Sequence, residues 1–172
     1  YSPYPEAGDA VSAINDAVEL LKDYKNLPDS TVAVNIKYLL HLVGDMHCPA
    51  HVYYLGRNQD YKVKFGGGYI KPVKEMKIHT VWDEAAIQSS RIWSVSEWAD
   101  ELDRKSAKEI KAMVAGTPRD WLEDSARRCI VQFGMSAPGD NVAQDFVNEA
   151  LPLIETQILY AGYRLAALLN SI

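Results

Sequence analysis

Cysteine is scarce in this sequence: two in 172 residues, Cys48 and Cys129. A disulfide between them would suit an exported protein, and two free buried thiols a cytosolic one. The residues alone leave both open. The C-x-x-C-H spacing is missing, which excludes haem attached in that way. No run of about 18 apolar residues occurs, so no segment reads as a membrane-spanning helix. There is no excess of basic charge either: 18 Lys and Arg stand against 23 Asp and Glu, a formal net charge of -5. A domain that held nucleic acid by neutralising phosphates alone would be basic. If this chain acts on phosphates, a bound cation must draw them in. Solenoid-length repeats, low-complexity tracts and parallel-strand patterns are also missing. The chain shows neither a signal peptide nor an initiator Met, and its opening "YSPYPEAG" reads as the start of a processed chain or an excised piece.

What is present points to one α-helical domain. A length of 172 residues fits a single domain with a real core. Ala10, Val11, Ile14, Ala17, Val18 and Leu21 share one face of a helix predicted over Ala7 to Leu21. Leu27-Pro28-Asp29-Ser30 reads as a stop and a new start, followed by a helix from Thr31 to Met46. Pro49 ends it. From Val52 to Val73 glycines cluster and "YKVKF" alternates, which predicts a long loop with a small hairpin at best. A third helix is predicted over Ile78 to Arg91. One or two more follow, capped by Ser94 or Ser96. Another has Pro118 at its first position. A long helical pattern runs from Val142 to Ser171, with Pro152 inside it or starting it. The fold class is mostly α, a bundle of six or seven helices.

The chemistry concentrates in the histidines. All four lie between positions 41 and 79, and H-x-x-x-D occurs twice, as "HLVGD" and "HTVWD". His41 with Asp45, and His79 with Asp83, are each i and i+4 and share a helix face. A lone pair of this kind is ordinarily a surface ion pair. Two of them, with His51 carried round by Pro49, assemble the imidazole and carboxylate donors that suit zinc. His47 reads as a residue supporting the ligands. Cys48 has the neighbours of a thiol nucleophile, but neighbours in sequence need not be neighbours in space. Neither is read as a ligand.

"YLLHLVGDMHCPAHV" followed by "IHTVWDEA" resembles the zinc-dependent single-strand nucleases of the S-one and P-one type. Their pattern is a helix with H-x-x-G-D-x-H-x-P-x-H, a Gly-rich loop, then L-H-x-x-W-D. "WLEDS" and "AGYRLAALLNSI" resemble later segments of the same family, so the likeness spans most of the chain. The resemblance implies the helical fold shared with zinc phospholipase C and a cluster of three zinc ions. It places His51, His79 and Asp83 on one zinc. His41 and Asp45 serve a second, with Asp45 bridging to the third as the catalytic carboxylate. The implied activity is cleavage of single-stranded DNA and RNA to 5′-mononucleotides, with removal of 3′-phosphates. A secreted or periplasmic location is implied as well, and with it the disulfide form of the cysteines. A zinc phospholipase C-like phosphodiesterase and a non-catalytic zinc-binding helical domain are the alternatives.

The chain departs from that pattern in two places. It has no histidine before His41, and "YSPYPE" resembles the stretch that follows the family's N-terminal ligands. Residues 1–172 therefore read as a single domain that is N-terminally incomplete relative to the family, with one complete zinc site. An N-terminal segment of the same protein would supply the other ligands. Asp9 and Glu6 sit at a helix start, where capping is the better reading. In the loop, the family's D-x-G-G-N is matched by "YLGRN". Asn58 and Arg57 are the expected substrate contacts, Arg57 by a bidentate phosphate contact. Tyr53, Tyr54 and Tyr69 have the aromatic faces to stack a base. Trp82 is expected to pack behind the site, and Trp93, Trp98 and Trp121 in the core.

Overall fold

Asp9 begins the first helix. Its carboxylate accepts the Ser12 N–H at 2.9 Å and an Arg119 guanidinium N–H at 2.6 Å. The computed structural model describes residues 8–172, so Glu6 lies outside the described residues. Helix α1 (Ala10–Leu21) buries Val11, Ile14, Ala17 and Leu21, the face read from the sequence. Helix α2 (Asp29–Asp45) starts directly after Pro28 and packs on α1. A 3-10 turn, Pro49–His51, follows it.

The glycine-rich region holds a longer hairpin than expected. Strand β1 (Lys62–Gly67) pairs antiparallel with β2 (Ile70–Lys77), and β2 runs straight into the next helix. Gly66 sits at φ +124°, and a Cβ there would stand 3.0 Å from the Ile70 carbonyl oxygen and the Val73 Cα. Only glycine fits that position. A two-residue strand, β3 (Asn141–Val142), joins β1 in parallel and gives the order β2-β1-β3. The sequence pattern placed a helix there instead. Val142 is buried as the strand's inward residue, and the helix waits until Gln144.

Helix α3 is one continuous rod. It runs as Ile78–Thr80, a π-helical segment Val81–Ala85, and Ala86–Ser90. Three shorter helices follow: α4 (Val95–Leu102), α5 (Ala107–Met113) and α6 (Pro118–Cys129). Each opens with a reciprocal cap: Ser94 with Glu97, Ser106 with Glu109, Thr117 with Asp120. Helix α7 (Gln144–Leu169) is the longest, with Pro152 inside it. The mostly helical fold is as read from the sequence, and seven helices lie among the described residues. No helix among them is long and apolar enough to cross a membrane.

Two apolar clusters flank the chain's histidines. One joins Val63 and Phe65 of the hairpin to Ile78, Val81 and Trp82 of α3 and to Phe146, Val147 and Ile154 of α7. The other joins Ile14 and Leu21 of α1 to Leu39 and Val43 of α2 and to Trp121 of α6. Burying side chains of this size contributes about 1.5–3 kcal/mol each. Two tryptophan expectations hold: Trp82 is 2% exposed and meets Phe146 edge-on at 5.3 Å, and Trp121 lies in the second cluster. Two do not. Trp93 and Trp98 pack edge-on against each other at 5.2 Å, outside both clusters and half-exposed, with Arg91 stacked on Trp93.

Candidate metal centre

The last turn of α2 carries His41 and Asp45, with Nε2 3.3 Å from Oδ2. The start of α3 carries His79 and Asp83, with Nε2 3.5 Å from Oδ2. Pro49 turns the chain so that the His51 ring falls between these pairs. Its Nδ1 lies 3.5 Å from Asp45 Oδ2, and its Nε2 lies 3.1 Å from Asp83 Oδ1. The ring also meets His79 edge-on, with centroids 4.7 Å apart. All five residues read from the two motifs are therefore neighbours, in the order His41, Asp45, His51, Asp83, His79. The π-helical widening of α3 falls at this point, and such bulges are frequent at functional sites. It buries Trp82 while Asp83 faces His51. Three imidazoles and two carboxylates with few other partners form a donor set that fits zinc.

One contact was not read from the sequence. Cys48 donates its S–H to Asp83 Oδ1 at 3.4 Å. The donor atoms of Cys48, His51 and Asp83 all lie within 4.8 Å of one another, so Cys48 belongs to this cluster. Burial pushes the thiol up to about 12, and the Asp83 charge acts in the same direction. Without a bound metal the thiol therefore stays protonated, which weakens the nucleophile reading. Cys48 and Cys129 are both free, so the expected disulfide is not formed. Cys129 is fully buried and faces Ser125 and Gln157 instead.

His47 turns away from the ligands. It is 2% exposed, and both ring nitrogens are committed. Nδ1–H donates to the Val43 carbonyl at 2.7 Å, and Nε2 accepts from Arg164 at 2.9 Å. Burial holds its pKa down at about 4, so the ring is neutral. Rather than contacting a ligand side chain, it anchors the turn on which Asp45 and His51 sit. Gln157 of α7 pins the same turn by donating to the His47 carbonyl at 2.8 Å. Arg164 also donates to the Met113 carbonyl and to Asp124 Oδ2, which accepts from Arg128 as well.

Burial alone would raise the Asp124 carboxyl, but the two arginines hold it below the usual carboxylate range. A depressed native pKa gives stability that is present above the unfolded value of 3.8 and lost as pH falls through the native value. Denaturant unfolding between pH 5 and pH 3 should therefore show falling stability. Asp124→Asn should remove part of that slope, and an unchanged slope would contradict the pairing.

Beside His51 and His79 opens a cavity of about 630 Å³. Arg57 and Asn58, the expected substrate contacts, both line it. Arg57 rests over the Phe133 ring at 5.4 Å. Asn58 uses its carboxamide oxygen to accept the Asp60 N–H at 3.1 Å. Tyr53, 60% exposed, lines the same space. Tyr54 does not: it is buried, bonded to the Ala126 carbonyl and packed on Phe133. Tyr69 is 97% exposed in the two-residue turn between β1 and β2 and is not among the cavity's lining residues. The sequence reading missed Lys77, which lines the cavity and pairs with Asp60 at 2.9 Å. Alternation about the buried Ile78 would have placed it on the His79 side. A second cleft, about 530 Å³, reaches Asp45 and His51 from the side of Asp9 and Arg119. Asp9 is the helix cap expected of it, and this cleft is what its end of α1 borders.

Comparison with known proteins gives this geometry a context. The family model described as S1/P1 Nuclease matches residues 3–172. Endonuclease 4 of Arabidopsis thaliana is 24% identical over 182 residues, covering 92% of this chain and 58% of that protein. Endonuclease 2 of the same plant is 24% identical over 184 residues, covering 93% and 60%. Nuclease S1 of Aspergillus oryzae is 26% identical over 192 residues, covering 96% and 63%. The chain thus spans about three fifths of the length of these curated relatives.

Proposed function

The chain belongs to the S1/P1 nuclease family, and from that premise we propose that it carries the metal site of a zinc-dependent phosphodiesterase. The substrate is single-stranded DNA or RNA, cleaved to 5′-mononucleotides, with 3′-nucleotides as a second substrate. The observation that carries the proposal is the convergence of His41, Asp45, His51, Asp83 and His79 beside a cavity lined by Arg57, Lys77 and Tyr53. The relatives' names, endonuclease and nuclease, support it.

His51, His79 and Asp83 hold one zinc. Asp45 stands between His41 and His51 and would be the carboxylate shared with any further metal. Bound zinc supplies Lewis-acid polarisation of a phosphoryl oxygen and an activated water. The chain's own residues bind and orient. The Arg57 guanidinium, held by the Phe133 ring, offers paired N–H donors to a phosphate. Asn58 holds the loop around it. Tyr53 presents a face on which any base can stack. The acidic net charge is no obstacle, because cations held by these residues would offset it where the phosphate binds. Further donors for the His41 and Asp45 pair come from another, N-terminal segment of the same protein. The cleft that Asp9, Asp45 and Arg119 line, open beside this pair, supports that reading. The family resemblance carries the location, secreted or periplasmic.

The test is product analysis on single-stranded DNA with the full-length, zinc-loaded protein. Products ending in 5′-phosphate are expected. No hydrolysis, or 3′-phosphate ends, would refute the reading. Arg57→Ala should lower kcat/KM about tenfold or more, since hydrogen bonds to charged groups contribute about 1.5–3 kcal/mol. An unchanged kcat/KM would remove Arg57 from the substrate site.

A further inference from the structure

We infer that Cys48 supplies a fourth protein donor, as thiolate, to the metal held by His51, His79 and Asp83. The inference rests on the metal reading above and adds a ligand to it. Its ground is distance. For a tetrahedral zinc with ordinary bond lengths, the sulfur–oxygen edge is about 3.5 Å and the nitrogen–oxygen edge about 3.3 Å. Cys48 Sγ stands 3.4 Å from Asp83 Oδ1, and His51 Nε2 stands 3.1 Å from the same oxygen. The two contacts match two edges of one tetrahedron meeting at Asp83 Oδ1. The third edge, from sulfur to the His51 nitrogen, is within 4.8 Å. His79 approaches through the other carboxylate oxygen, at 3.5 Å.

The surroundings suit a ligand. Cys48 is held in place by the turn into Pro49, on the chain segment that also delivers His51. Asp45 lies against His51 Nδ1, so a carboxylate backs the imidazole whose Nε2 faces the metal position. Binding replaces the sulfur–hydrogen bond by a sulfur–metal bond and releases one proton to solvent. A thiolate also biases this position towards zinc, cobalt and cadmium and against magnesium and calcium.

Cobalt(II) titration of the metal-free, full-length protein tests this by spectroscopy. The expected result is a near-ultraviolet thiolate-to-cobalt charge-transfer band, corresponding to one thiolate per chain, together with tetrahedral visible bands. The wild-type spectrum needs no variant. Cys48→Ser should lose the ultraviolet band and bind zinc at least about 100-fold more weakly, a loss no smaller than that from removing a supporting residue. Cys129→Ala should keep the band. Visible bands without the ultraviolet band, or a band that survives in Cys48→Ser, would overturn the role of Cys48 and leave the metal reading standing. No uptake of cobalt or zinc would overturn both.

Discussion

Asp83→Ala strips the zinc from the His51 site and leaves the helices in place. Among the described residues, Asp83 is the one that meets Cys48, His51 and His79 together. Its loss should therefore cost more than the roughly 10–100-fold typical of a supporting residue, and about 1000-fold in zinc affinity is expected. Hydrolysis of single-stranded DNA should fall at least as far. The side chain is part-exposed and outside both apolar clusters, so far-ultraviolet circular dichroism should stay near wild type. Zinc content by elemental mass spectrometry, read beside circular dichroism, checks the prediction. Wholesale unfolding would instead make Asp83 a structural residue. Retained zinc would remove it from the ligand set.

Arg164→Ala acts from the opposite side of the turn, through stability. Arg164 is 4% exposed, donates to His47, Met113 and Asp124, and lies over the Tyr160 and Trp121 rings. Truncation leaves the His47 nitrogen without its donor and removes one of two cations from Asp124. Asp124 keeps Arg128, so the loss is mainly of the buried hydrogen bonds to His47 and Met113, at about 1–3 kcal/mol for each partner left unsatisfied. At this chain length that is a fall in Tm of roughly 10 °C. Because His47 sits between Asp45 and His51, zinc affinity should weaken as well, even in protein that remains folded. Thermal unfolding and zinc titration on the same sample measure both effects. A Tm within 2 °C of wild type would show that this network does not hold the turn.

The two predictions mark what was legible in the sequence and what was not. The i, i+4 spacing of His41 with Asp45 and His79 with Asp83 fixes a shared face by helix geometry alone, and Pro49 marks where His51 leaves that helix. The helix starts were legible too, since Ser94 and Thr117 carry their own capping partners three residues on. Long-range contacts leave no such trace. Cys48 meets Asp83 across 35 positions, and Arg164 meets His47 across 117, so no local period records either. Strand β3 is too short to show alternation, and it exists because Val142 is buried beside Phe65. Trp93 and Trp98 misled for another reason. Aromatic residues suggest a core, but this pair satisfies itself at the surface with Arg91.

The most direct measurement is cleavage of single-stranded DNA by the full-length protein before chelation, after chelation, and after zinc is restored. Cleavage should disappear with the metal and return with zinc, in proportion to the zinc bound. Cleavage that persists in metal-free protein, or that never appears in zinc-loaded protein, would contradict the account.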